Sequence, residues 1–132
     1  MNSYNINYPF QDDQETNSFL LMNQVTKDSY SSNLILLLLT QKNERLYEPD
    51  FGTNLLKYIF EPTDDLTESQ IEEEIKNTVS LYIPEIKITS VTFKSLIDDS
   101  GQSMPDNQIN VNVKFVYIEG ALNDVGSVDL NF

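Results

Sequence analysis

The hydrophobic period of this chain changes at Pro84, and that change limits the possible folds more than any other feature of the sequence. Before it, apolar residues recur every three or four positions. In "TKDSYSSNLILLLLTQKN", Tyr30, Leu34, Leu37 and Leu38 fall at i, i+4, i+7 and i+8, one face of a helix. Thr26 or Asp28 can cap its start, and Asn43 follows its end, where a left-handed residue is often needed. Ile35, Leu36 and Leu39 fill the other faces, so this helix is expected to be buried on several sides, inside the domain or partly under a partner. The unbroken apolar run 34–39 is also compatible with a buried strand, but length and caps favour the helix.

Pro49, Asp50, Phe51 and Gly52 then form a turn in which Pro49 fixes its own φ and Gly52 supplies a positive one. Phe51 is expected to point towards the Leu-rich helix. A short helix is predicted over 53–60, with Leu55, Leu56, Ile59 and Phe60 on one side. "TESQ" at 67–70 fits a capping box that opens a further helix. That helix has Ile71, Ile75, Val79 and Tyr82 on one stripe, Glu72, Glu73 and Glu74 turned mostly to solvent, and Pro84 at its close.

After Pro84 the period is two. Ile86 and Ile88 alternate, then the phase slips to Val91 and Phe93, which predicts a bulge near Thr89 and Ser90. Ile109, Val111, Val113, Phe115 and Tyr117 share one strand face opposite Asn110, Asn112 and Lys114, and Val128, Leu130 and Phe132 alternate at the end. "SFLLMNQV" at 18–25 is a further β-compatible stretch, and residues 1–15 read as an arm that packs locally or becomes ordered on a neighbour. Helices followed by an antiparallel meander give a two-layer α+β fold, N-terminal helices on a small C-terminal sheet, in a single domain over 1–132. A chain of this length buries roughly two-thirds of its unfolded surface, enough for a real core.

Composition narrows the chemistry. The 132 residues include no Cys and no His, which removes disulfides, thiolate and His-ligated metal sites, and His-based dyads or triads. Twenty-one acids against eight bases give a net charge of −13, which disfavours nucleic acid and anionic membranes as partners. The acidity keeps the chain soluble through self-repulsion, or it matches a basic partner surface. No run approaches the ~20 apolar residues that span a bilayer, and the first residues lack the basic-then-apolar order of a secretory signal. No cofactor is expected.

Carboxylates are the remaining catalytic resource. Glu44, Glu48, Asp50 and Glu61 surround the turn, and a glycosidase needs only two such groups. In a chain this acidic, chance proximity and solvated roles explain them more simply. "DDSGQSMPD" at 98–106 has calcium-like ligand chemistry but lacks EF-hand spacing, and a solvated hairpin loop is the simpler reading. Glu44 and Arg45 form either a local salt link that pins the turn or an exposed docking pair, and the residues alone leave both open. The final strand can lie at a sheet edge and accept a partner strand, or be a short edge blunted by Asp129 and Asn131.

The order of motifs resembles one family. "YPF" near the start, then Leu38, Leu39 and Thr40, then Asn43, Glu44 and Arg45, come first. Pro49, Asp50, Phe51 and Gly52, Leu55, and Phe60, Glu61 and Pro62 follow, ahead of an acidic helix ending in "YIPEI". This pattern is similar to the baseplate wedge proteins of contractile phage tails, shared with the equivalent component of type VI secretion systems, and covers roughly residues 8 to 95. Asn43 stands where the family has Gly, a tolerated change because Asn also enters the left-handed region. Of the family's Glu-Pro-Arg motif only Pro84 remains, with Glu85 at the arginine position, so docking there must use Glu85 against a basic surface or Lys87 in its place.

The resemblance implies a non-enzymatic structural subunit of the virion baseplate, made in the host cytoplasm, with a fold like the conserved domain of the tail sheath protein. It implies a ring of copies that templates the first sheath layer, with the sheath protein and other wedge proteins as partners. Partner contacts are then expected at Glu44, Arg45, Pro49, Asp50, Phe51, Gly52, Pro84, Glu85, Val128, Leu130 and Phe132, and strand exchange at the edge gains weight. The alternative is a carboxylate-based, lysozyme-like cell-wall hydrolase, a label such proteins have often carried.

Overall fold

The computed structural model describes residues 5–11, 22–23, 26–61, 65–93, 110–119 and 122–131. Two short strands, β1 (Asn5–Ile6) and β2 (Met22–Asn23), pair antiparallel ahead of helix α1 (Thr26–Leu39). A 3-10 helix (Leu55–Phe60) leads to helix α2 (Asp65–Tyr82). Strands β3 (Ile86–Phe93), β4 (Asn110–Glu119) and β5 (Leu122–Asn131) complete the chain as an antiparallel sheet in the order β3-β4-β5. The two-layer α+β arrangement expected from the period change is the one found.

Both helices press their apolar stripes onto one face of the sheet, α2 under β3 and α1 under β5. Leu34, Leu37 and Leu38 of α1 and Ile71, Ile75 and Val79 of α2 meet Val111, Val113, Phe115 and Tyr117 of β4 in one buried cluster. Val128 and Leu130 of β5 join it, at 4% and 2% exposure. Ile35 and Leu36 are half-buried and Leu39 is exposed, so the all-round apolar helix is covered on most of its circumference only.

The predicted bulge is present. Ile88 faces Phe115 and Ser90 faces Lys114, leaving Thr89 as the extra residue on β3. The insertion switches parity, so Ile86 and Ile88 before it and Val91 and Phe93 after it all point at the helices. By contrast, β4 and β5 keep register without a break from Asn110 opposite Asn131 to Glu119 opposite Leu122. The last strand therefore begins five residues before the "SVDLNF" stretch.

Three local readings need correction. The segment after the turn is a 3-10 helix, with three residues per turn, so the residues facing inward are Leu55 and Tyr58. Leu56 and Phe60, expected on the buried side, are exposed at 37% and 86%. Helix α2 opens at Asp65, so Thr67 lies inside its first turn, buried, instead of ahead of it as an N-cap. Glu74 is not simply solvated: its carboxylate accepts a 2.6 Å hydrogen bond from the backbone N–H of Asn54. Most of the 18–25 stretch, the 98–106 loop, Ile109, Pro62 and Phe132 lie outside the described residues. Of the N-terminal arm, residues 5–11 pack locally, with the Tyr8 N–H donating to Ser32 Oγ on α1 at 3.2 Å.

Two contacts fix β5 against β4. The ring of Phe115 lies over Gly126, where a β-carbon would collide with the ring tip. Further along, the buried Tyr117 hydroxyl donates to Asp124 at 3.1 Å, and the other Asp124 oxygen accepts from the Val125 N–H at 2.8 Å. The Val125 N–H and then Tyr117 hold the Asp124 carboxyl below its ordinary value; burial opposes them, and the positive charge of Lys27 assists least.

Gly126→Ala should lower stability by about 1–3 kcal/mol through overpacking against Phe115, read as a lower urea midpoint at unchanged slope. Asp124→Asn tests the carboxylate. A folded pKa below the unfolded 3.8 adds stability that is complete above that value and lost as pH falls through the folded one. The variant should be less stable than the parent at pH 7, with the gap closing as pH falls below 3.8. A gap independent of pH would show that the charge is not responsible.

Candidate functional site

The turn between α1 and the 3-10 helix is where most of the singled-out residues converge. A helix ends with four carbonyls that lack partners within it. In α1, Leu36 O accepts from both the N–H of Thr40, at 3.1 Å, and its hydroxyl, at 2.5 Å. Leu38 O is satisfied from across the turn by the buried Thr53 hydroxyl at 2.9 Å. The two sides are then laced together: Thr53 N–H donates to Thr40 O at 2.8 Å and Lys42 N–H to Thr53 O at 3.1 Å, a short parallel bridge. Gly52, at φ 115, is pressed so closely on this seam that a β-carbon would strike the Thr40 carbonyl. Its place in the motif is thus a steric and conformational requirement.

The loop from Gln41 to Phe51 closes on itself. Asn43 is left-handed at φ 67, as expected of the residue after the helix, and Glu48 is left-handed at φ 58, which the sequence did not announce. Asn43 N–H donates to Pro49 O at 2.7 Å, Glu44 N–H to Gln41 O at 3.1 Å, and Phe51 N–H to Glu48 O at 3.0 Å.

Glu44 and Arg45 turn to different partners. The Glu44 carboxylate accepts from Gln41 N–H at 2.9 Å, so it acts as a local cap. The Arg45 guanidinium sits 3.9 Å from the centre of the Phe51 ring, a cation–π contact. Phe51 in turn meets Tyr82 edge-on at 5.0 Å, and the Tyr82 hydroxyl donates to Asp50 O at 2.8 Å. A salt link between them is absent among the described residues; each pins the turn separately, Glu44 through the backbone and Arg45 through the ring. Phe51 is half-buried against the core cluster.

Tyr82 joins the turn to the second group of expected contacts. Phe51, Tyr82, Ile83 and Glu85 line one groove together with Tyr30, Asn33 and Leu36. Pro84 and Glu85 also border a neighbouring hollow beside Lys87 and Ile88. Glu85 and Lys87 are both exposed. The strand residues lie elsewhere: Val128 and Leu130 point into the core, so only their backbone edge can meet a partner. Glu44, Glu48, Asp50 and Glu61 are all on the surface. Among the described residues, no group of three or more acids could hold a metal ion. Sequence reasoning passed over Leu46 and Tyr47, whose side chains are 91% and 84% exposed at the loop's tip. A two-residue apolar pair inside a turn motif was the available signal.

The same architecture occurs in an assembled baseplate. The cryo-EM baseplate of the anti-feeding prophage contains a chain that superposes with a TM-score of 0.60 at 14% identity, over 94% of this chain and 81% of that one. A candidate tail lysozyme from Geobacter sulfurreducens superposes at 0.67 with 20% identity, over 85% and 94%. At such identities the likeness is one of fold. The family follows from sequence: the chain belongs to the baseplate wedge protein gp25 family, whose pattern it matches over residues 25–119. It is 31% identical over 71 residues to baseplate wedge protein gp25 of Enterobacteria phage T4, a match spanning 54% of each protein. The matched relative is thus covered over about half its length. Membership places the chain in the tail baseplate, and no helix among the described residues is long and apolar enough to cross a membrane.

Thr53→Val should cost about 1–3 kcal/mol, because the buried Leu38 carbonyl loses its donor while shape is kept. Thr53→Ser, which keeps the hydroxyl, should recover most of this in urea unfolding. Equal losses in both variants would assign the effect to packing.

Proposed function

We propose that this chain is a structural, non-enzymatic wedge subunit that templates the first sheath ring by offering the outer edge of β5 to a sheath strand. The observation that supports it is the contrast between the two sheet edges. Among the described residues β5 pairs only with β4, and it does so over ten residues with no bulge. The opposite edge, β3, is broken by Thr89. Bulges are a common way to protect an edge from strand addition, and a regular edge is the one suited to augmentation. Along β5 the inward side chains already serve the core, so a partner strand would add to the backbone, with Ser127 and Asp129 facing outward beside it. The partners are then the sheath protein and other wedge proteins, with a ring of copies on the baseplate. Glu85 and Lys87 next to Pro84 are the groups offered to the wedge in place of the family's motif.

The hydrolase reading has less behind it, since Glu44 serves as a backbone cap and the turn carboxylates are exposed. Hydrogen exchange on baseplates before and after sheath polymerisation tests the leading reading. Amides of β5 should slow at least ten-fold once sheath is added, whereas unchanged exchange along β5 would exclude strand addition there. Purified chain should leave peptidoglycan intact; turnover that disappears in Glu44→Gln and Asp50→Asn would restore the enzyme.

A further inference from the structure

Leu46 and Tyr47, at 91% and 84% exposure, are as open as Phe60 at 86%, and unlike it they form an adjacent pair. They are not on a loose segment. The left-handed residues Asn43 and Glu48 bracket them, three hydrogen bonds close the loop beneath them, and Arg45 is clamped on Phe51 immediately before them. A Glu in the left-handed region is strained and persists only where surrounding contacts over-determine it. The loop therefore presents two apolar side chains in a fixed direction without any folding benefit from them.

From this we infer that Leu46 and Tyr47 form a preformed knob that inserts into an apolar pocket with a basic rim on a different protein of the same assembly. Preorganisation removes much of the ordering cost of binding, and Tyr is among the residues that most often dominate interface energy. Charge decides the kind of partner. Glu44, Glu48 and Asp50 flank the knob along the chain and are exposed, with Glu48 lining the same hollow as Leu46 and Tyr47. A second copy of this chain, at −13 with eight bases, would meet the knob with like charge. Arg45 and Lys76 are further engaged within the chain, on Phe51 and Glu72. An anionic lipid surface is disfavoured for the same reason. The knob is separate from the β5 edge, and the inference rests on the baseplate reading for its setting only.

The test replaces Tyr47 with photoreactive benzoylphenylalanine in the assembled parent particle and identifies the cross-linked peptide by mass spectrometry. The expected product joins position 47 to a different particle protein, at a segment with apolar residues flanked by Lys or Arg. A product with a second copy of this chain, a product at an acidic segment, or no product from particles that contain the chain would each overturn the inference. Absence of the unmodified chain from the particle would instead count against the baseplate reading. As a second measurement, Leu46→Ser/Tyr47→Ser should leave the thermal midpoint unchanged and cut incorporation into particles at least ten-fold. Parental incorporation of the folded double variant would also overturn it.

Discussion

The hydroxyl of Thr53 donating to the carbonyl of Leu38 is the buried side-chain bond in the seam that joins two parts of the chain, beside the backbone bonds between Thr53, Thr40 and Lys42. One is the apolar end of α1, whose last carbonyls would be left without partners inside the protein. The other is the segment that carries the 3-10 helix and α2. With that bond in place, Gly52 can lie flat on Thr40, Phe51 is held against Tyr82, and the loop of Asn43 to Glu48 is drawn into a closed bend. Tyr82 returns the connection by reaching back to Asp50 from the end of α2. The direction in which α2 enters β3 is thus tied to the end of α1, and the sheet inherits its position from both.

The parts of this that could be read from sequence are those that repeat. Alternation identified the inward faces of β3 and β4, and a slip in it located Thr89, because the sheet has a strict two-residue parity that an insertion must break. The stripe 71, 75, 79 marked the buried face of α2. Leu56 and Phe60 were misplaced because a 3.6-residue period was assumed where the backbone adopts a three-residue one. The contacts that define the turn run between residues far apart or between side chain and backbone, such as Glu74 to Asn54, and leave no periodic trace. Glu44 and Arg45 are adjacent in sequence, but the contact each makes depends on a group that only the folded loop supplies, Gln41 N–H for one and the Phe51 ring for the other. For Leu46 and Tyr47 no local pattern distinguishes an apolar residue facing outward from one facing the core.

The chain's acidity acquires a more definite meaning from the same contacts. Arg45, Lys57 and Lys76 are each engaged, on Phe51, Tyr58 and Glu72 respectively. The rings leave the charges of Arg45 and Lys57 in place and the Lys76–Glu72 pair removes one charge of each sign, so the surface keeps the acidic excess of the sequence count. Such a surface repels its own kind, as suits a subunit that must reach a larger assembly without first aggregating. It also makes attachment depend on ionic strength wherever a basic neighbour provides the complement.

Thr89 has a consequence beyond the local geometry of β3. A sheet with two equivalent borders could be lengthened from either, and copies could add to one another without limit. Here one border is crooked and the other is straight over ten residues. The straight border is the better suited to an added strand, which gives the sheet a polarity. A single inserted residue is thus enough to make the two borders of the sheet unequal.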